Sequence, residues 1–539
     1  MVRETRDNLN HWWIPERGDI DVIIAQLGFN LAQMVIPVFL LLPLGVSLDF
    51  GVTHFLPGYA LGFLIGSLGL TFLAVRLCKR ENRADVAAHA YGNNVPAILA
   101  YTLAIMLPVY LQSHDIVRAW QIGAAAVIWT GIIKLAAVPF AGVIRRVIPV
   151  PASMAVFGAA MYSYLGLALL QRLFDQPIVG LVALSIVAVC VLGNLPITRW
   201  RIPPFLVAWI VPLVVGLGIG YVHPVWHGFA VQAPFAGARG ALQAMGLTLP
   251  YMSVIAPMAI YQILQDVAAV EGATAAGDNY DTRSVILWDG IGTLVCGVAG
   301  SVVTPIVYAL HPPYKAMGAR ISYAFWTPVI FILVMISGLT VFIMQLFPWP
   351  ILAAMIAYVS VGVGAATLRR VDRKYVSVLL LSFILPAGAI VYAALNSALP
   401  ALKLSAESPA VQNALNGSVY WSSLKGLGSG FLFLVLVVAA VITEVIDRNF
   451  GRAAIWCVIA AVFSWVGLLH SAVLRWGAQP SYATGWLCAA AFVYSARWWR
   501  GDTTQAFIAP PLLRDEAPDT SVRAAGSESS AAAPAKLRT

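Results

Sequence analysis

In the stretch QILQDVAAVEG, Gln262 and Asp266 stand four residues apart, on one face of a helix, and small Ala269 follows on that face. The flanking residues are apolar, so this carboxylate falls where the chain is expected to meet hydrocarbon. Acids in that setting are costly and mark substrate or ion paths by default. Desolvation favours the protonated form of a buried carboxylate. Asp266 could therefore take up and release a proton near neutrality, with Gln262 and the room beside Ala269 receiving a ligand. The plainer role is a protonated Asp266 that holds two helices together. Asp289, in LWDGIGT, suits a helix contact or a cap as well as transport, and Glu271 falls near a span end where water reaches it. Lys134, in WTGIIKLAAV, either snorkels to an interface or pairs with an acid.

Two stretches far apart could position such groups. ADVAAHAYGNNVPAILAYTLAIMLPVY, residues 84–110, opens without helical character, passes Gly92, Asn93, Asn94 and Pro96, and continues as a clean half-helix. GVAGSVVTPIVYALHPPYK, residues 297–315, has a β-branched run with Pro305, then His311, Pro312 and Pro313 before a helix resumes. Irregular backbone is tolerated at membrane depth only where it is buried in protein or lines a cavity. A proline in the first turn of a half-helix removes an amide that would be unpaired anyway, and the helix start turns its positive end toward the midplane. Each stretch is expected to form a short strand and a half-helix, with Asn93, Asn94, Thr304, Tyr308 and Ala309 facing a substrate.

The surroundings are a bilayer. Of 539 residues, 60% are hydrophobic and 11% charged, with a mean hydropathy of +0.82. Apolar runs of spanning length recur from about residue 20, roughly 14 of them to residue 445 and two more near 453–471 and 482–499. The first run is too long for a signal peptide and lacks a small-residue cleavage site, and His11, Trp12 and Trp13 before it read as an interfacial anchor. With the N-terminus placed in the cytoplasm, inner segments carry 26 Lys and Arg against 6 outside, Lys134 completing the 33. That asymmetry assigns both termini to the cytoplasm of a multi-pass protein of the cell membrane, taken as a bacterial inner membrane. The net charge of +9 is thus topological, and a nucleic-acid partner is not indicated.

Counted along the chain, the two broken stretches are spans 3 and 10. An offset of seven, an odd number, sets two like units in opposite orientations, the sequence mark of a transporter built from inverted repeats. The segments expected are a cytoplasmic stretch (1–19), the first repeat (20–235), the second repeat (240–445), two extra spans (446–499) and a disordered cytoplasmic tail (500–539). The fold class is all-α and polytopic: a 14-span, 7+7 inverted repeat with short strands in spans 3 and 10. The five cysteines are scattered with no CxxC and no Cys/His cluster, so neither a disulfide framework, a metal nor a cofactor is implied. Dispersed histidines argue against an enzyme, and the scarcity of polar residues in the spans argues against a channel.

ILWDGIGTLVCGVAGSVVT, shortly after QILQDVAAVEG, resembles the second-half signature of the nucleobase/ascorbate permeases (nucleobase–cation symporter-2, with the xanthine/uracil and adenine/guanine/hypoxanthine permeases). FAGVIRRVIPVPASMAVFGAAMYSYLGLAL resembles that family's entry to span 5, and the likeness covers roughly residues 20–445. The resemblance implies a core domain of spans 1–4 and 8–11 moving against a gate domain of spans 5–7 and 12–14, often in a homodimer. It implies proton-coupled symport of a purine or pyrimidine base, with Asp266 as the coupling and binding carboxylate, Asp289 at the family's Asp-Gly, and Gln26 at a polar position of span 1. One departure matters. The family's second carboxylate in span 10 falls on Ala309, whose methyl cannot accept a base N–H, a bond worth about 1.5–3 kcal/mol. Tyr308, His311 and Lys315 stand nearby instead. A small organic or inorganic anion on the same fold is the alternative, as is a membrane sensor that does not transport.

Overall fold

The computed structural model describes residues 11–499, apart from 35, 43–44, 194, 196–203, 227–232, 234, 236, 309, 347, 402–403, 406–407 and 472–473. The tail expected over 500–539 and residues 1–10 of the N-terminal segment lie outside the described residues, as does Ala309. Among the described residues, seven helices are long and apolar enough to cross a membrane. The count is eight if Trp421–Gly428 and Phe431–Ile446, bent by 78°, form one span. The other positions where spans are expected hold shorter or interrupted helices, such as Pro177–Cys190 and Ser322–Ile336.

In the first half, α1 (Arg17–Met34) and α2 (Pro57–Glu81) lead to strand β1 (Tyr91–Asn93). Helix α3 (Val95–Tyr101) follows, then α4 (Ile116–Ala137). In the second half, α5 (Met252–Ala275) and α6 (Thr282–Val298) lead to β2 (Pro305–Val307) and α7 (His311–Ala316). The end of the chain holds α8 (Trp421–Gly428), α9 (Phe431–Ile446), α10 (Phe450–Val466) and α11 (Pro480–Ser495). Helix–strand–helix order recurs in the two halves, as the inverted-repeat reading requires.

The strands pair antiparallel, Tyr91 opposite Val307, Gly92 opposite Ile306 and Asn93 opposite Pro305. Two flanking bonds lengthen the ladder: Asn94 N–H donates to Thr304 O, and Tyr308 N–H to Ala90 O, each at 2.8 Å. This pairing is why the breaks survive at membrane depth: each strand satisfies backbone groups that hydrocarbon would leave orphaned. Pro305 has no amide to give, which a two-stranded ladder tolerates.

The two half-helices differ in length. After β1 the chain stays helical from Val95 to Ser113, with a wider π segment at Thr102–Met106. Pro108 just beyond cannot donate to the preceding turn, and the widened turn absorbs that lost bond. After β2, α7 has only six residues, because two prolines start it and Gly318, at φ +86°, follows its end. The second half-helix is thus a turn and a half.

Candidate functional site

Side chains from four elements meet at the strand crossing. Gln26 of α1 donates through Nε2 to Tyr91 O, and Asn93 Nδ2 donates to Asn30 O at 2.7 Å. Both bonds fix β1 against α1. Asn94 caps α3, its Oδ1 accepting from Ala97 N at 3.1 Å. On the other strand, Thr304 donates to Gln262 Oε1 of α5 at 3.1 Å. The Tyr308 hydroxyl lies 3.2 Å from Asn30 Oδ1, 3.0 Å from Gln33 Oε1 and 3.0 Å from Asn93 O. One proton cannot serve three acceptors at once, so this hydroxyl is a hub that can choose among them. Gly92 makes room for it: a Cβ there would come 2.3 Å from Asn30 Oδ1 and 2.5 Å from the Tyr308 ring.

Asp266 is 0% exposed and interacts electrostatically with Asp289 and Lys134, beside the Val307 amide. Lys134, expected either to snorkel or to pair, does the latter. Its Nζ lies 2.6 Å from Asp289 Oδ2, 3.0 Å from Thr293 Oγ1 and 3.3 Å from Pro305 O, with both charged side chains 0% exposed. The ammonium thus neutralises one carboxylate and holds the carbonyl of a strand residue. Neither oxygen of Asp266 nor Asp289 Oδ1 makes a hydrogen bond of full geometry among the described residues, although Asp266 approaches Asp289 and the Val307 amide. The same lack of a full hydrogen bond holds for Gln26 Oε1, Asn30 Nδ2, Gln33 Nε2, Asn93 Oδ1, Asn94 Nδ2 and Gln262 Nε2. Buried polar groups are ordinarily satisfied. A cluster of spare donors and acceptors at one point is the chemistry of a site that receives a polar ligand.

The structure therefore brings together Gln26, Asn93, Asn94, Gln262, Asp266, Thr304 and Tyr308, with Asp289 one contact behind. Asn30 and Gln33 join them, although sequence reasoning passed over both. Their signal was there: with Gln26 they repeat at i, i+4 and i+7, a polar stripe on the apolar stretch that follows the charged first turns of α1.

His311 and Lys315 lie elsewhere. Beyond the C-terminal end of α5, Asp278 accepts from Arg83 at 2.7 Å, Lys315 at 2.7 Å, His311 Nε2 at 2.9 Å and the Ala87 amide at 3.1 Å. Six residues of α7 are too few to aim Lys315 back at the crossing, and its charge is spent on Asp278. Burial alone would raise the Asp278 carboxyl. The hydrogen bonds from His311, Lys315, Ala87 and Arg83 outweigh burial and hold it below the usual carboxylate range. A carboxyl depressed by folding stabilises the protein above its unfolded pKa of about 4, and that contribution is lost as pH falls further. Asp278→Asn is accordingly expected to lower the thermal midpoint at neutral pH and to flatten its fall below about pH 4. Melting of the purified pair in detergent checks this; identical curves at both pH values would refute it.

On the opposite side of the crossing, a cavity of about 260 Å³ lies along α3 and the start of α5. Its walls include Leu99, Leu103, Met258, Tyr392, Asn396 and Phe431. Met258 stands one turn along α5 from Gln262, so the cavity floor lies close to the polar centre.

The fold and the site define a multi-pass helical membrane protein whose two broken spans cross as paired strands at a buried polar centre. The sequence matches no family model and no curated protein. Among solved structures, the chain is similar to the transmembrane domain of BicA, a bicarbonate transporter from a cyanobacterium. The TM-score there is 0.47 at 14% identity, covering 71% of this chain and 98% of that one. It is also similar to SLC26A9, with a TM-score of 0.40 at 14% identity, covering 65% of this chain and 64% of that one. The nucleobase resemblance thus rests on its motif residues alone.

Proposed function

We propose that this chain is a secondary active transporter that carries a small anion together with a proton, binding both at the strand crossing. The observation that carries the reading is the arrangement of charge there. Lys134 and Asp289 cancel one another, leaving Asp266 as the group whose protonation sets the net charge of the site. With a proton on Asp266 the centre is neutral, and the positive end of the helix that begins at Val95 faces it. An anion is then admissible; without that proton, a bare carboxylate repels it. Cargo and proton enter as a neutral set, the cheapest load to move through a low-dielectric interior. The 260 Å³ cavity is the outer approach, and movement of a core domain against a gate domain would expose the centre to each side in turn.

A second reading has an observation in its favour. Asn30, Gln33, Asn93 and Gln262 offer spare amide donors and acceptors, which match the edge of a nucleobase. Against it stands the alanine at position 309, where the resemblance calls for an acid.

Proteoliposomes with an inward proton gradient separate the readings. The panel is labelled bicarbonate, chloride, sulfate, formate, uracil and xanthine. Gradient-driven uptake of an anion is expected, and Asp266→Asn should abolish the response to the gradient while substrate exchange persists. Uptake of bases alone would transfer the site to the nucleobase reading. A well-inserted protein that moves none of them would favour a sensor.

A further inference from the structure

The two helices that follow the second repeat, α10 and α11, have a task that neither repeat supplies. The loop between them turns back onto the break that separates α8 from α9. At this break the axis bends by 78°, and Gly428, Ser429 and Gly430 line the cavity at the point of bending. Helix α8 ends at Gly428, so Gly426 O is among its last carbonyls and has no amide further along the helix to accept. Ser429 O is likewise bypassed, because Phe433 N–H donates to Gly430 O instead. A broken span in a bilayer must find donors for such groups within the protein.

His470 provides them. Its backbone N–H donates to Ser429 O at 3.0 Å, and its Nδ1–H donates to Gly426 O at 2.8 Å. Its Nε2 accepts from Trp486 Nε1 of α11 at 3.1 Å, so both ring nitrogens are committed and the neutral tautomer with the proton on Nδ1 is selected. The ring stacks on Tyr482 with centroids 4.1 Å apart. Two features show how closely the loop is seated. Gly430 has φ +74°, and a Cβ there would meet Leu468 O at 2.4 Å. His470 itself takes φ +63°, a left-handed conformation that a non-glycine residue adopts only where its surroundings hold it. Its neighbour Ser471 also lines the cavity.

We infer that His470 is a positioning residue for the outer approach to the site, and that the appended helix pair is a built-in brace for the broken span forming that wall. His470 touches no substrate. It acts through Gly426 and Ser429, whose carbonyls it holds at the bend. The inference rests on the reading of the cavity as the outer approach, and the test keeps the two apart.

The test uses the full chain with Cys488, the exposed cysteine among the described residues, replaced by serine, and with Asn396→Cys as a reporter in the cavity wall. A membrane-impermeant maleimide is added from outside. His470→Ala should change the labelling rate about fivefold, the effect of one lost buried hydrogen bond, and should raise KM for uptake more than it lowers the maximal rate. His470→Asn keeps an amide that can reach Gly426 O and tolerates the left-handed backbone, so it should stay near the parent in both measurements. A labelling rate and KM unmoved by His470→Ala overturn the proposal. Should that variant not reach the membrane, Trp486→Phe removes one donor at little cost in volume, and an unchanged labelling rate there overturns it equally. If no substrate is carried by any version, the labelling result still decides the brace, while the transport reading fails by itself.

Discussion

Lys134→Gln is expected to remove transport altogether and to destabilise the protein by about 3–5 kcal/mol, the cost of breaking a buried ion pair by deleting one partner. Asp289 would then sit uncompensated in the interior beside Asp266, and Pro305 O would lose a donor that the strand ladder cannot replace. The damage reaches the site from two directions, through its charge and through the seating of β2. Deleting both charges together should do far less. In Lys134→Gln/Asp289→Asn two neutral amides replace two charges, and the desolvation of each ion is no longer borne. Thermal melting of the two single variants and the double, alongside their uptake, forms a cycle whose coupling reads the pair directly. Stability restored in the double variant without restored uptake would mean that the lysine is also needed to hold Pro305. A double variant no more stable than the singles would refute the pairing as the source of the loss.

Much of this fold was legible because bilayer chemistry leaves few options. Pro96, Asn94 and Gly92 in one stretch, and Pro305 with Pro312 and Pro313 in the other, are poor company for a continuous helix, and both stretches do form a strand followed by helix. The antiparallel pairing of the two strands was not legible, since register depends on how two distant halves dock. The unequal lengths of the half-helices were not legible, for a local reason. Gly318 ends the second half-helix after six residues, and Lys315, which stands near Ala309 in sequence, reaches Asp278 instead. Lys134 illustrates a different limit. A lone basic residue in an apolar span has no partner visible in its own neighbourhood, because Asp289 lies 155 positions away. Gln26, Asn30 and Gln33 show the opposite case, a periodic polar stripe readable in sequence of which only Gln26 is singled out, and that through the family resemblance rather than the period.

Gly92→Ala is expected to damage the strand crossing severely. Its Cβ would have to occupy space 2.3 Å from Asn30 Oδ1 and 2.5–2.6 Å from two ring atoms of Tyr308. Both neighbours are anchored through their main chains. Asn30 backbone O accepts from Asn93 at 2.7 Å and Tyr308 N–H donates to Ala90 O at 2.8 Å, so the side chains must give way and the ring tilts away from β1. Overpacking of this kind costs about 1–3 kcal/mol. The tilt also takes the Tyr308 hydroxyl out of reach of Asn30, Gln33 and Asn93, removing the hub that links α1 to both strands. At about 1.4 kcal/mol per factor of ten, uptake should fall by about tenfold or more. Tyr308→Phe supplies the comparison, since it deletes the hydroxyl without touching the fit. If the hub is what Gly92 protects, the two variants should show similar rises in KM, with Gly92→Ala alone also melting earlier. A Gly92→Ala protein that transports normally would mean that β1 can shift away from the ring, and that the strand crossing is not held at the spacing on which the proposed binding site depends.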